Sequence, residues 1–430
     1  MDIKAILKSL ENCPCGREHT VNIKAVEIGR GLKEKTGQIL ICNGFPKKIL
    51  IVADKNTLSA ADGILDILSD SGFSFKLHLY DDLRTAHQDD VDKVIELSAD
   101  VDGVLSIGTG SLNDICRRAC LLCDKEFAIF ATAPSMDGFA SDSAPITKNN
   151  FKVSYPARQP SVIIGDTDIL AAAPTELKAS GYGDMLAKYV GIADWKIAQL
   201  TTGEYYCENV ANVTRSAVRK IVDLTDKVTE NDPEAAGAIM EALVMTGIAM
   251  KLGGCTRPAS GTEHIISHFW EVKKLEKGLL SDFHGKKVGV ATLMASKMYH
   301  DICNNADPSA FSKENLDWNR IYEVYGPNFT DDVKKLNSPT VTEETSYEIL
   351  RDNWDSVCRF VREELPTPDV ILSLLQRAGA VTTLGEISVD EELGLLGLQY
   401  HPYMRHRITL ARLLPMLNYD VNYKMIAGLE

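Results

Sequence analysis

The chain reads as an α/β domain followed by an all-helical one, and three observations predict this. Short β-branched runs alternate with helical stretches up to about residue 170, the pattern of a mostly parallel sheet with helices on its faces. After residue 175 the strand-like runs stop. From there helical patterns punctuated by Pro and Gly run to the end of the sequence.

The strand candidates are KKILIVAD (47–54), FSFKLHLY (73–80), GVLSIG (103–108), FAIFAT (127–132) and SVIIGD (161–166). Each is rich in Val, Ile or Phe and ends near Asp, Gly or another turn former. The helical part opens with PTELKASGYGDMLAKYVGIADW and continues through EAAGAIMEALVMTGIAMKLG and DNWDSVCRFVREEL. The expected domains are therefore 1–172, α/β, and 173–430, all-helical, with a short hinge near 170–176 and a ligand cleft beside it. No fixed-period repeat or low-complexity segment interrupts them.

Composition narrows the function. With 430 residues, 45% hydrophobic and 25% charged, the chain can bury an ordinary globular core. A net charge of −14 argues against a nucleic-acid partner, which needs a basic stripe, while a few local cations still suffice for a small anionic substrate. No stretch reads as a membrane span or a leader, and ten cysteines at irregular spacings resemble thiols of a reducing compartment more than a disulfide framework. The expectation is a cytoplasmic protein without a membrane partner.

GTGSLND (108–114) follows the apolar run VLSI and precedes a helix, LNDICRRACLLC. Glycines there let backbone approach a ligand, and the N–H groups of a helix start favour a phosphate. Asn113 stands where a full G-x-G-x-x-G fingerprint has its third glycine, so a plain strand-to-helix turn fits as well. ATAPSMDGFASDSAPI (131–146) follows the next strand and is rich in hydroxyls, with Asp137 able to bind a ribose or substrate hydroxyl; a long surface loop is the other reading.

His264 and His268 are four apart and share one face of a helix, and His284 begins the next helical stretch. One metal ion can reach two or three of them. A catalytic site adds a carboxylate and keeps a position for substrate, and Asp184, in GYGDMLAKY, is the candidate; it can equally be a helix N-terminal acid. CPCGREH (13–19) offers Cys13, Cys15 and His19 as three further ligands without a fourth, and is expected to be a turn before the first strand. LQYHPYMRHR, with His401, Arg405, His406 and Arg407, reads either as an anion site or as a polar helix start.

In order, GTGSLND, TAPSMDGFAS, GYGDMLAKYVGIADW, RPASGTEHIISHFWE and FHGKKVGV resemble the glycerol-1-phosphate dehydrogenase family, within the dehydroquinate synthase-like and iron-containing alcohol dehydrogenase superfamily. The resemblance spans most of residues 25–300. It implies a dehydroquinate synthase-like fold, NAD or NADP as cofactor, and one divalent metal (zinc, with nickel or iron as alternatives) on Asp184, His264 and His284. His268 is then a proton-relay residue. Gly108, Gly110 and Ser111, with Asp114 in the same motif, form the cofactor turn, joined by Thr132 and Ser135. Asp54 lies near the adenosine ribose, and Asp137 and Lys152 face nicotinamide or substrate. The implied reaction is reversible reduction of dihydroxyacetone phosphate to sn-glycerol 1-phosphate, with Lys152, Arg257, Arg405 and Arg407 as candidate phosphate cations. A homo-oligomer, dimer or higher, is expected. The rival readings are a polyol dehydrogenase or a dehydroquinate synthase-like lyase and, further off, a non-catalytic metal- or nucleotide-binding protein.

Overall fold

The computed structural model describes residues 3–148 and 151–429, without the side chains of Phe151 and Lys152. The chain forms two compact units: residues 1–185 with 212–255 and 377–379, and residues 186–211 with 256–376 and 380–430.

The first unit is built on a six-stranded sheet of β1 (Ala25–Gly29), β2 (Lys48–Asp54), β3 (Ser74–Tyr80), β4 (Gly103–Gly108), β5 (Glu126–Ala131) and β8 (Val162–Asp166), in the order β1-β8-β5-β4-β2-β3. Every pairing is parallel. The interior strands are apolar along nearly their whole length because helices cover both faces, so the pattern is a run and not an alternation. β3 alternates between exposed and half-buried residues and ends the sheet. On one face Ile49, Ile51, Leu105, Ile107, Phe130 and Ile164 join Leu40, Ile64 and Leu68 in one core.

The five strands expected from the sequence are all present. Two features lie outside that reading. β1 is only AVEIG, with a glutamate and one fully buried residue, and β6 (Ser143–Lys148) pairs antiparallel with β7 (Phe151–Pro156) as a separate hairpin. The second part of the 131–146 segment is thus strand, hidden in sequence by its Pro and hydroxyls.

β2 pairs with β3 on one side and β4 on the other, so successive connections leave β2 in opposite directions. Such a switch point opens a crevice outside the carboxyl ends of the two strands. Asp54 and Gly108 terminate those two strands.

The sequence-expected division at 172/173 falls inside the first unit. The cause is the helix Pro233–Gly253, which is apolar around most of its surface and lies against β1, β8, the helix Thr167–Ala172 and the turn Asp137–Ala140. Its glycines allow this: a Cβ at Gly237 would stand 2.8 Å from Thr167 Cγ2, and one at Gly247 would stand 3.0 Å from Ala140 Cα. Among the described residues it is the one helix long and apolar enough to cross a membrane, and 83% of its apolar window is buried inside the protein.

The second unit is helical. Helices Thr262–Glu276 and His284–Asn305 pack together, with Lys188–Thr202, Trp354–Glu364 and Glu391–Tyr400 around them. Lys287 ties the first pair, with Nζ 3.2 Å from Glu271 and 2.8 Å from the Ser281 hydroxyl.

Candidate active site

In the first unit, the turn after β4 carries Thr109 as the residue before the helix Gly110–Leu122. The Thr109 and Ser135 hydroxyls are 2.6 Å apart, which joins this turn to the one after β5. A Cβ on Gly108 would meet Leu112 and, at 3.3 Å, Thr57. Gly110 is the reverse case: it has φ +29 and open space within 4 Å of where its Cβ would be, at the helix end where partial positive charge gathers. Ser111 donates to the Arg84 carbonyl at 3.1 Å. Asp114 is buried and 3.6 Å from the Arg117 guanidinium, an ion pair within the helix. Asp54 accepts from Thr57 N–H at 2.8 Å and caps the helix after β2. Thr132 and Ser135 are buried beside the carboxyl end of β5.

Asp184 reaches the turn that holds Asp137. Its Oδ2 accepts the Asp137 backbone N–H at 3.0 Å, and the two carboxylates approach within 4.8 Å. Gly181 permits the approach, since a Cβ there would collide with the Pro134 carbonyl oxygen and lie 3.1 Å from Leu243. Asp184 is fully buried. It lies in the last turn of Thr175–Leu186, not at a helix start, so the alternative of an N-terminal acid does not hold. Lys152 lies on β7; its side chain is outside the described set.

In the second unit, His264, His268 and His284 gather. Ring centroids are 5.2 Å apart for His264 and His284, 6.2 Å for His264 and His268, and 5.8 Å for His268 and His284. The ligand nitrogens of His264 and His284 lie within 4.8 Å of each other. Glu263 is fully buried, and its Oε1 lies 2.6 Å from His264 Nδ1 while also accepting from Gly261 N–H at 2.9 Å. A carboxylate can only accept, so the His264 proton sits on Nδ1 and Nε2 presents its lone pair, the arrangement that supports a metal-binding imidazole.

Beneath this lies Asp194. It accepts from Thr262 N–H (2.8 Å), Tyr299 Oη (2.5 Å) and Leu410 N–H (3.0 Å), which pins the start of the histidine-bearing helix. Burial pushes its carboxyl up to about 6, against the lowering effect of the three donors. Gly191 brings Asp194's helix onto the RPASG turn, with a Cβ position 3.0 Å from Ser260 N.

The candidate cations separate. Arg257 is buried and forked onto both Glu204 oxygens, with a third bond of 2.6 Å to the Ile408 carbonyl. Arg407 donates to Ser260 O and Thr256 Oγ1 at 2.7 and 2.5 Å. Both therefore brace the RPASG turn, and their guanidiniums are already occupied by protein oxygens. Arg405 donates to the Met404 carbonyl at 3.1 Å. His401 is fully buried, bonded through Nδ1 to Gly397 O, and His406 bridges Leu336 O and Glu344.

Sequence reasoning missed Glu263 and Asp194 as supporting groups. The signal for Glu263 was the acid adjacent to a histidine at an apolar helix start. Asp194 offered only an acid inside the otherwise apolar run VGIADW.

A family model described as iron-containing alcohol dehydrogenase matches residues 27–174. A glycerol-1-phosphate dehydrogenase [NAD(P)+] of Halalkalibacterium halodurans is 31% identical over 308 residues, covering 69% of this chain and 76% of that one. Another, of Methanosarcina mazei, is 30% identical and covers 75% of this chain and 83% of its own length. This chain belongs to the glycerol-1-phosphate dehydrogenase family. A Geobacillus stearothermophilus member is 28% identical across 91% of this chain and 92% of its own. Among solved structures, a probable glycerol dehydrogenase from Sinorhizobium meliloti superposes with TM-score 0.62 at 15% identity, over 94% of this chain and 95% of that one. Glycerol dehydrogenase from Schizosaccharomyces pombe gives 0.62 at 16%, over 96% and 89%. These likenesses extend the shared fold beyond the family. Membership makes the chain an NAD(P)-dependent oxidoreductase of the metal-containing class.

Proposed function

We propose that this family member reversibly reduces dihydroxyacetone phosphate to sn-glycerol 1-phosphate, with Asp184, His264 and His284 holding one divalent ion. The observation that carries the reading is the His264–His284 pair, one imidazole of which is oriented by a buried glutamate. One carboxylate and two imidazoles are borderline donors that suit zinc, nickel or iron; zinc is proposed, since three protein ligands are its usual catalytic set and leave a position for substrate. The open space at Gly110, above a helix start, likewise fits a pyrophosphate.

When bound, the ion polarises the carbonyl and the reduced nicotinamide supplies hydride. The chain's own residues do the remainder. Glu263 keeps His264 in the ligating tautomer. The Asp137 N–H holds the Asp184 carboxylate in one orientation, and the Asp137 side chain faces the substrate hydroxyl. His268, less buried than His264, carries the alcohol proton between the substrate oxygen and solvent, a role an imidazole fills near neutral pH. Thr109, Ser135 and the Gly110–Ser111 turn hold the dinucleotide. Arg257 and Arg407 are committed to the RPASG turn, and Lys152, which the family resemblance sets toward the substrate, is the cation proposed for its phosphate. None of the ten cysteines is joined in a disulfide, which suits a reducing cytoplasm.

The test compares kcat/KM for dihydroxyacetone phosphate and dihydroxyacetone with both cofactors, then offers the product to an enzyme specific for the 3-phosphate enantiomer. A strong preference for the phosphorylated ketone and an unconsumed product are expected. Equal rates, or a consumed product, would leave a general polyol dehydrogenase. No net nicotinamide oxidation would leave a lyase.

A further inference from the structure

The segment CPCGREH gathers three metal-ligating side chains well away in sequence from the catalytic motifs. Cys13, Cys15 and His19 present ligand atoms that lie within 4.8 Å of one another. A turn closed by Gly16 N–H to Cys13 O at 3.1 Å, with Gly16 at φ +74, folds both thiols to the same side. The turn expected from the sequence is therefore present, and it does more than precede a strand.

His19 supplies the decisive detail. It is buried, and its Nδ1 lies 2.8 Å from the Leu252 carbonyl, one of the last carbonyls of the helix Pro233–Gly253, which have no partner within a helix. A carbonyl only accepts, so the proton is on Nδ1 and the lone pair is on Nε2. That Nε2 stands 3.3 Å from Cys15 Sγ. Ligands on a tetrahedral zinc with ordinary Zn–N and Zn–S lengths would be about 3.6 Å apart. A carbonyl fixing the tautomer while the other nitrogen faces a sulfur is the outer support that zinc-bound histidines commonly have.

We propose that Cys13, Cys15 and His19 bind a zinc ion that is structural and separate from the catalytic one. Two soft thiolates with one imidazole select zinc over the magnesium-like cations. Its role is to fasten residues 13–19 onto the end of the Pro233–Gly253 helix.

The experiment measures metal in the full-length protein and stands apart from the catalytic reading. Zinc content by elemental analysis should be two ions per chain, falling to one in His284→Ala and to one in a Cys13→Ser/Cys15→Ser variant. Cobalt(II) loaded in place of zinc should give a near-ultraviolet thiolate-to-metal charge-transfer band, which the nitrogen and oxygen ligands of the catalytic set cannot produce. That band should persist in His284→Ala and vanish in the cysteine variant. A folded wild-type protein with cobalt bound and no such band overturns the proposal, even where the cysteine variants fail to fold. If failure lies with the catalytic reading instead, His284→Ala keeps all its metal while the charge-transfer band stays sensitive to the cysteines.

Discussion

Replacing Glu263 should weaken the catalytic metal site in graded steps. Glu263 Oε1 is 2.6 Å from His264 Nδ1 and 2.9 Å from Gly261 N, and both the glutamate and the histidine are buried. A hydrogen bond to a charged group is worth about 1.5–3 kcal/mol net. At about 1.4 kcal/mol per factor of ten, removing it in Glu263→Ala predicts a loss of metal affinity of about 10- to 100-fold, the range seen when outer partners of ligating histidines are removed. Glu263→Gln keeps an oxygen able to accept from Nδ1–H but without the charge, so its loss should sit near the lower end, at about tenfold. The assay follows turnover during titration with a competing chelator, so that only the catalytic ion is read, with circular dichroism to confirm the fold. A folded Glu263→Ala enzyme that resists the chelator as well as wild type would refute the reasoning.

Gly110→Val should raise the KM for the nicotinamide cofactor while metal content stays unchanged, because the side chain would enter the open space at the helix start and strain a backbone at φ +29; an unaltered cofactor KM would move the dinucleotide elsewhere. His401 should make the fold acid-sensitive. Burial holds it at about 3 against about 6.5 unfolded, so below about pH 6.5 the unfolded chain binds the extra proton. Stability is therefore intact above that pH and declines as pH falls toward 3, by up to about 1.4 kcal/mol per unit. Urea unfolding of wild type and His401→Gln at a series of pH values checks this, and parallel pH dependences in the two proteins would contradict it.

The sheet was legible because buried parallel strands are written as continuous apolar runs, as at ILIVA, FAIFA and VII, while β3 shows as a mixed run of apolar and polar residues at the sheet's edge. β1 escaped because an edge strand need bury little, and β6 because Pro145 and its hydroxyls look like loop. The division between units was less legible, since the mostly apolar helix Pro233–Gly253 carries no mark of which layer it covers. Candidate site residues stand out in sequence where they are a rare side chain or a glycine in a turn, as at His264, His284 and Gly110. Arg257 looked like an anion binder because its charge shows in sequence while its partner Glu204, 53 positions away, does not. Asp194 was invisible for the same reason, as its function lies in who donates to it.

That pattern of donors bears on the order in which the molecule can assemble. The three groups that hold Asp194 come from 68, 105 and 216 positions further along the chain, and closing such long loops precedes any reward from the contacts they make. During synthesis the histidine-bearing helix emerges well before Leu410. Until that residue arrives, the buried carboxylate under the helix start lacks a donor and resists ionisation. The start of the histidine-bearing helix is thus among the last parts of the second unit to become rigid, which would place capture of the proposed metal near the end of folding and make the extreme C-terminal helices, remote from those histidines in sequence, a condition for it.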